Sequence, residues 1–459
     1  MRCIGSAERA KFHASDRGAK ALRFFRTLTD RRPTENPVLS GCSVVGSGSA
    51  AASRCLPEGF GRRMATPFRI VVLGYSITSS WGNRHASTYR TLLGALGRLG
   101  HEVTFFERDL PYLSEQRDEP EPEKCAVHFY SSLSELEHRY ADQVRNADAV
   151  IVGSQVPEGA EVLRWVTSTA SGLKLFYDLD TPATLTALAR GREDYVAQES
   201  LPLLDAYFSF VGGPALTVLE REHGVRLALP LHCAANERLY EPLPVWTRYD
   251  LGYLGAYAPE RQPQLERLLL EPARRHPGGR FLVAGSSYPN HLSFPADVER
   301  SGHVPPARHA RLYSSMRFTL NLTRTAMVRL GHCPSPRLFE AACSGVPIIS
   351  DRWSGLERFF TPGSEILLVD TTEQVSEILS SLEEEERVAI GRRARARVLK
   401  EHTGTARARE LVGYVRKLRD GSSELYAMRD RERSGLQTSR SQFPAAEPDT
   451  SPLLTAWSR

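Results

Sequence analysis

No apolar run in this chain approaches the ~20 residues that a helical membrane span needs, so a soluble or at most peripheral protein is expected. Cysteine is sparse and unpatterned. The seven residues (Cys3, Cys42, Cys55, Cys125, Cys233, Cys333 and Cys343) form no C-x-x-C pair and no Cys/His spacing suited to zinc. An odd, scattered set in a long chain fits reduced thiols of a cytoplasm better than a disulfide framework. The net charge is only +5, much of the basic excess lies in the Arg-rich ends, and aromatic residues are not interleaved with it, so no nucleic-acid partner is expected. Ligand signatures are missing as well. Without G-x-G-x-x-G, a dinucleotide oxidoreductase loses its best cue, and without the Gly-Lys-Ser/Thr ending no P-loop is present.

What is present is ordinary globular composition, 41% hydrophobic and 25% charged residues, in 459 residues. That length is too great for one core and predicts two domains of similar size with tails. Residues 1–63 are rich in Arg, Ser, Gly and Ala without sustained periodicity, and read as a disordered leader or a mis-called start, with Met64 as a candidate true start. Residues 420–459 are similarly polar and read as a disordered tail.

Between these ends, β-type apolar runs alternate with amphipathic stretches, which predicts α/β packing around parallel sheets. Phe68–Gly74 reads as a buried first strand, followed by a helix from about Arg84 to Leu99 that Gly100 closes. Further strands are expected at His101–Phe106, Ala147–Gly153, Leu173–Asp178 and Ala206–Phe210. After a Pro-bearing connector the pattern restarts at Tyr249–Gly255, with strands at Arg280–Gly285, Phe318–Leu322, Val346–Ser350 and Ile366–Val369. The expectation is two Rossmann-like, doubly wound domains, 64–235 and 249–419, joined by a linker at 236–248 and facing across a cleft. Ligands in such sheets sit at the carboxyl ends of the strands.

Three loops carry candidate chemistry. The stretch Gly74–Asn83 joins a strand to a helix, and its Gly and Ser residues suit either an anion-binding loop or an ordinary turn. Asp180, directly after a strand, suits either acceptor binding and proton transfer or plain capping of the turn that Pro182 opens. The stretch His332–Asp351 reads as a helix primed by Ser335 and Pro336, ended at Gly345, then a short buried strand. Arg337 in the first turn of that helix opposes the helix dipole unless an anion sits between them. Glu340 follows one turn later. The two suit a diphosphate and ribose hydroxyls respectively, the alternative being a surface ion pair.

The run Ser335–Pro347, continuing through Ser350–Glu357 and Pro362–Leu367, resembles the CgeB-like glycosyltransferases, relatives of the group 1 glycosyltransferases with a GT-B fold. Tyr313–Arg324, Phe176–Pro182 and Gly252–Arg261 are similar to that family too, and the likeness covers roughly Phe68 to Arg416. It implies a nucleotide-sugar donor held mainly by the C-terminal domain and a glycan or other hydroxyl-bearing acceptor held mainly by the N-terminal one. It implies Glu340, the second glutamate of a Glu-x7-Glu element, on the donor ribose. It also implies Arg261, Arg324 and Arg337 on the diphosphate, assisted by backbone N–H groups at Gly74 or Gly255. The first glutamate position of the element is His332, which departs from the pattern. No histidine stands where related enzymes place one near the reacting sugar, so Asp180 is taken as its substitute. With no Asp-x-Asp motif to bind a metal, arginines and helix ends are expected to take the metal's place, and no cofactor is expected beyond the nucleotide-sugar co-substrate. Two other readings stay open: a non-catalytic GT-B protein binding a nucleotide or glycan in envelope or spore-coat assembly, and a nucleotide-sugar epimerase.

Overall fold

A computed structural model describes residues 66–434 other than Arg84. The leader over 1–63, the candidate start at Met64 and the end of the tail past 434 lie outside the described residues.

The first sheet has seven strands: β1 (Arg69–Gly74), β2 (Glu102–Arg108), β3 (Ala126–Tyr130), β4 (Ala149–Gly153), β5 (Leu173–Asp178), β6 (Ala206–Ser209) and β7 (Ala228–Pro230). Their order is β3-β2-β1-β4-β5-β6-β7, with every pairing parallel. A parallel sheet buries both faces, so its central strands read as continuous apolar runs rather than alternating ones. In β1, Ile70 and Val72 enter one core cluster, Val71 and Leu73 the other. The chain winds outward from β1 to β3, then returns to lay β4 on the other side of β1. The crevice at that reversal, beyond the carboxyl ends of β1 and β4, is where such sheets bind ligands.

The second sheet repeats the device with β8 (Tyr249–Leu254), β9 (Phe281–Ala284), β10 (Val298–Ser301), β11 (Met316–Asn321), β12 (Ile348–Ser350) and β13 (Leu367–Leu368). The order β10-β9-β8-β11-β12-β13 is again all parallel and places the reversal between β8 and β11.

The C-terminal end of the chain departs from expectation. Instead of closing the second lobe, the helix Gly404–Arg419 packs on the first, where Ala408, Leu411, Val412 and Val415 join the core of Ile70, Val72 and Tyr89. Tyr414 stacks on Phe208 with ring centroids 5.5 Å apart. Thr403 caps this helix by accepting from the Ala406 amide at 3.1 Å. The stretch read as a tail also begins with a helix, Glu424–Ser434, whose Leu425 is buried in the same core. The two crossings between lobes run side by side: the Ala235 amide donates to the His402 carbonyl and the Gly404 amide to the Ala235 carbonyl, both at 2.9 Å.

Candidate functional site

On the first lobe, several donors of the Gly74–Asn83 loop are engaged by carboxylates of the protein itself. Glu107, fully buried on β2, accepts from the Ile77 amide at 2.7 Å, the Thr78 amide at 3.1 Å and the Thr78 hydroxyl at 2.6 Å. Asp118 accepts from the Ser80 amide at 2.7 Å and its hydroxyl at 2.8 Å, and Arg90 clamps that carboxylate. Gly74 is fixed by packing, since a Cβ there would lie 2.3 Å from the Phe105 ring. The bonds to Glu107 and Asp118 engage the Ile77, Thr78 and Ser80 amides inside the lobe.

The loop ends at Asn83, whose side-chain amide donates to the Ser76 and Ser79 carbonyls at 3.0 and 2.9 Å, while its Oδ1 accepts from the His85 amide at 2.9 Å. His85 opens the helix His85–Arg98 and places Nε2 2.6 Å from Asp180 Oδ2. The sequence reading passed over this histidine; the visible signal was its place at the start of the helix that follows the first strand, but its partner is 95 residues away. The same Asp180 oxygen accepts from Gln155 at 2.8 Å. Asp180 opens the helix Thr181–Ala189, and its side chain makes no capping bond there. Behind it, Asp178 accepts from the Tyr207 hydroxyl at 2.6 Å, the Thr184 hydroxyl at 2.9 Å and the Asp180 amide at 2.9 Å. Burial raises the Asp178 carboxyl to about 6, against those hydrogen bonds. His85, Gln155 and Asp180 thus come off β1, β4 and β5, at the reversal of the first sheet.

On the second lobe, the loops after β8 and β11 bring together what the sequence separated. Arg261 is buried, with Nη2 donating to the Ala256 carbonyl at 2.7 Å and Nε without a partner. Burial lowers its pKa, and the nearby Arg337 adds to the effect. The Arg337 guanidinium carbon lies 5.8 Å from the centroid of the Tyr253 ring, whose buried hydroxyl also has no partner. Arg337 belongs to the helix Pro336–Cys343. The hydroxyl of its N-cap residue Ser335 makes no capping bond and instead donates to Asn321 Oδ1 at 3.2 Å. Glu340 is buried on the same helix, 4.0 Å from His309 Nδ1, so it is not half of a surface pair with Arg337. Arg324 is half-buried at the start of the helix Thr325–Leu330, directly after β11. Gly255 departs from expectation: its amide already donates to the Ala284 carbonyl at 2.8 Å, so it has no N–H left for a phosphate. What requires glycine there is the approach of Tyr253, whose hydroxyl would lie 2.6 Å from a Cβ.

The lobes meet at the position that departs from the Glu-x7-Glu pattern. His332, at φ +47°, accepts from the Gly212 amide through its carbonyl at 2.9 Å and donates its own amide to the Ser354 carbonyl at 2.6 Å. Its ring fills the space beside Gly213 of the first lobe and Gly355 of the second, where Cβ atoms would lie 2.4 and 2.3 Å from it. Trp81, at the tip of the first-lobe loop, also reaches His303 of the second, with ring centroids 5.7 Å apart. Among the described residues, no helix is long and apolar enough to cross a membrane.

Solved structures share this architecture. A sucrose-phosphate synthase from Thermosynechococcus elongatus superposes with a TM-score of 0.55 at 16% identity, over 77% of this chain and 100% of that one. HepE of Anabaena, solved in complex with UDP and glucose, gives 0.55 at 11% identity, over 76% of this chain and 100% of its own. AviGT4, a glycosyltransferase involved in avilamycin A biosynthesis, gives 0.51 at 16%, over 77% and 99%. No curated protein sequence matches significantly. Residues 261–413, which carry Arg261, Arg324, Arg337 and Glu340, match the family model described as glycosyl transferase-like, and the two parallel-sheet lobes are the GT-B fold.

Proposed function

We propose that this protein is a metal-independent glycosyltransferase of the CgeB-like group, moving a sugar from a nucleotide-sugar donor to a hydroxyl-bearing acceptor such as a glycan. The observation that carries the reading is the second-lobe cluster. Arg261 Nε and the Tyr253 hydroxyl are buried donors without protein partners, and a buried donor left unpaired costs about 1–3 kcal/mol. Beside them stands Arg337, a cation at a helix N-terminus where the dipole opposes it. A diphosphate satisfies all three, and Glu340 one turn along the helix suits the ribose hydroxyls. The four described cysteines are free, which fits a cytoplasmic enzyme.

The chemistry follows from which charges must be met. Bond cleavage at the anomeric carbon places negative charge on the departing diphosphate. Arg261 and Arg337, with Arg324 at the neighbouring strand end, stabilise it where a metal ion otherwise acts. On the first lobe, Asp180 holds His85 through Nε2, which fixes the tautomer that leaves Nδ1 as a buried, unpartnered acceptor, able to take the acceptor hydroxyl's proton once acceptor binding opens the site to it. Asp180 thus moves from base to orienting partner, and His85 takes the role first given to it.

The test is thermal unfolding with UDP-, GDP-, ADP- and dTDP-sugars, without added metal. UDP-glucose comes first, because HepE has been solved with it. Binding to the folded state raises apparent stability. A shift with one donor that disappears in Glu340→Ala supports the site; no shift with any of them removes the reading.

A further inference from the structure

We propose that Glu107 is a positioning residue for the acceptor-side reaction: an internal anion that shapes the β1 loop so that Asn83 delivers His85 to Asp180. This rests on the reading of His85 and Asp180 given above.

The reasoning starts from the loop's composition. In the loop Gly74-Tyr75-Ser76-Ile77-Thr78-Ser79-Ser80, two successive amides and a hydroxyl, those of Ile77 and Thr78, converge on one point, the arrangement that elsewhere holds a bound anion. Here the anion is a side chain of the next strand. Both Ile77 and Thr78 amides converge on Glu107 Oε2, and the Thr78 hydroxyl takes Oε1. Ile77 and Thr78 are themselves fully buried, so the loop has no water to turn to if the carboxylate is removed. Held in this way, the loop offers the Ser76 and Ser79 carbonyls to Asn83, and Asn83 in turn fixes the backbone amide of His85. The chain of contacts runs Glu107, loop, Asn83, His85, Asp180, and every link is a hydrogen bond of 3.1 Å or less. Arg117 steadies the same hydroxyl, with Nε 3.3 Å from Thr78 Oγ1.

A carboxylate at this depth is a poor choice for stability alone, since an apolar side chain and a differently folded loop avoid its desolvation. Its presence makes sense if a particular loop conformation is what is needed. Glutamine can keep that conformation, with its oxygen accepting from the two amides and its NH2 turned to the Thr78 hydroxyl. Alanine leaves the donors unpaired.

The experiment compares Glu107→Ala, Glu107→Gln and Thr78→Val with the wild type, using UDP-glucose turnover and the side-chain nitrogen NMR signals of His85. A displacement of about 1 Å at a reacting group costs on the order of a hundredfold in rate. The expectation is therefore a loss of about that size in kcat for Glu107→Ala, with donor KM unchanged. Glu107→Gln should recover most of it, and in the alanine variant alone the His85 ring should lose its single tautomer. Thr78→Val, which removes only the hydroxyl link, should fall between them and serves if the alanine variant does not fold. A general structural role would lower the melting temperature while leaving kcat and the His85 signals of the folded protein intact, and that result overturns the proposal. If the wild type turns over no donor, the glycosyltransferase reading fails, while the His85 spectrum still decides whether Glu107 sets that ring.

Discussion

Replacing Arg337 with alanine separates binding architecture from transition-state charge. In the folded protein its guanidinium is held between opposing influences. Tyr253, Tyr313 and Glu340 favour its charge, whereas burial disfavours it. Arg261 is a second buried cation near enough for the two to act on each other. Removing Arg337 relieves the repulsion with Arg261 and takes away a favourable neighbour of Glu340. These changes oppose one another: leaving the buried Glu340 without a cationic neighbour costs at most about 3–5 kcal/mol, which the relief at Arg261 offsets in part. Turnover should behave differently. Deleting one preorganised donor aimed at developing charge costs about a hundred- to a thousandfold in kcat. Arg337→Lys keeps the charge but loses the planar fork, and should fall between. The assay is donor consumption followed as nucleotide release, alongside urea unfolding of the same preparations. Wild-type turnover in Arg337→Ala, with the fold intact, would falsify the donor-site assignment.

The other expectations follow from the same geometry. Either His85→Ala or Asp180→Asn should lower kcat by about a hundred- to ten-thousandfold, the range for a lost general base, and the double variant should lose little more because the two act as one unit. Unchanged activity in His85→Ala returns the proton-transfer role to Asp180. Turnover should survive dialysis against EDTA, and a loss restored by a divalent cation refutes metal independence. Asp178 should shape stability against pH: its folded value is raised from 3.8 to about 6, so the contribution is fully present below about pH 4 and is lost as pH rises through 6. That gap corresponds to about 3 kcal/mol at most. In urea unfolding from pH 4 to pH 7, Asp178→Asn should flatten this part of the profile, and an unchanged slope rejects the assignment.

The architecture was legible because its central strands are buried on both faces. Ile70–Leu73, Val150–Val152 and Leu251–Leu254 read as strands whatever surrounds them. The edge strands were not. β10 is Val-Glu-Arg-Ser with its last three residues exposed, and β3 is mostly half-buried, so neither carries an apolar run; only pairing with β9 and β2 makes them strands. The helix Gly404–Arg419 was not picked out in the sequence, and nothing local says which lobe its Leu411 and Val415 cover.

The site divides the same way. Arg337 and Glu340 stand out in the sequence because they lie one turn apart on one helix, so local spacing carries their relation. Arg261 joins them only because β8 and β11 are neighbours in the sheet, which places the loops after both strands at the same reversal. Gly74 and Gly255 show the limit of reading glycines as ligand loops: a missing Cβ makes room for Phe105 in one case and Tyr253 in the other, neighbours that no spacing rule names. His85 and Asp180 meet across 95 residues through a 2.6 Å bond, and Glu107 enters from yet another strand to shape the loop between them. The sequence by itself determined the central strands, the parallel winding and the one helix that carries its own chemistry, because those depend on periodicity and local turns. Which carboxylate answers which loop, and which histidine completes the pair, was decided only by tertiary structure, because hydrogen bonds act over about 3 Å and the chain brings distant residues that close only by folding.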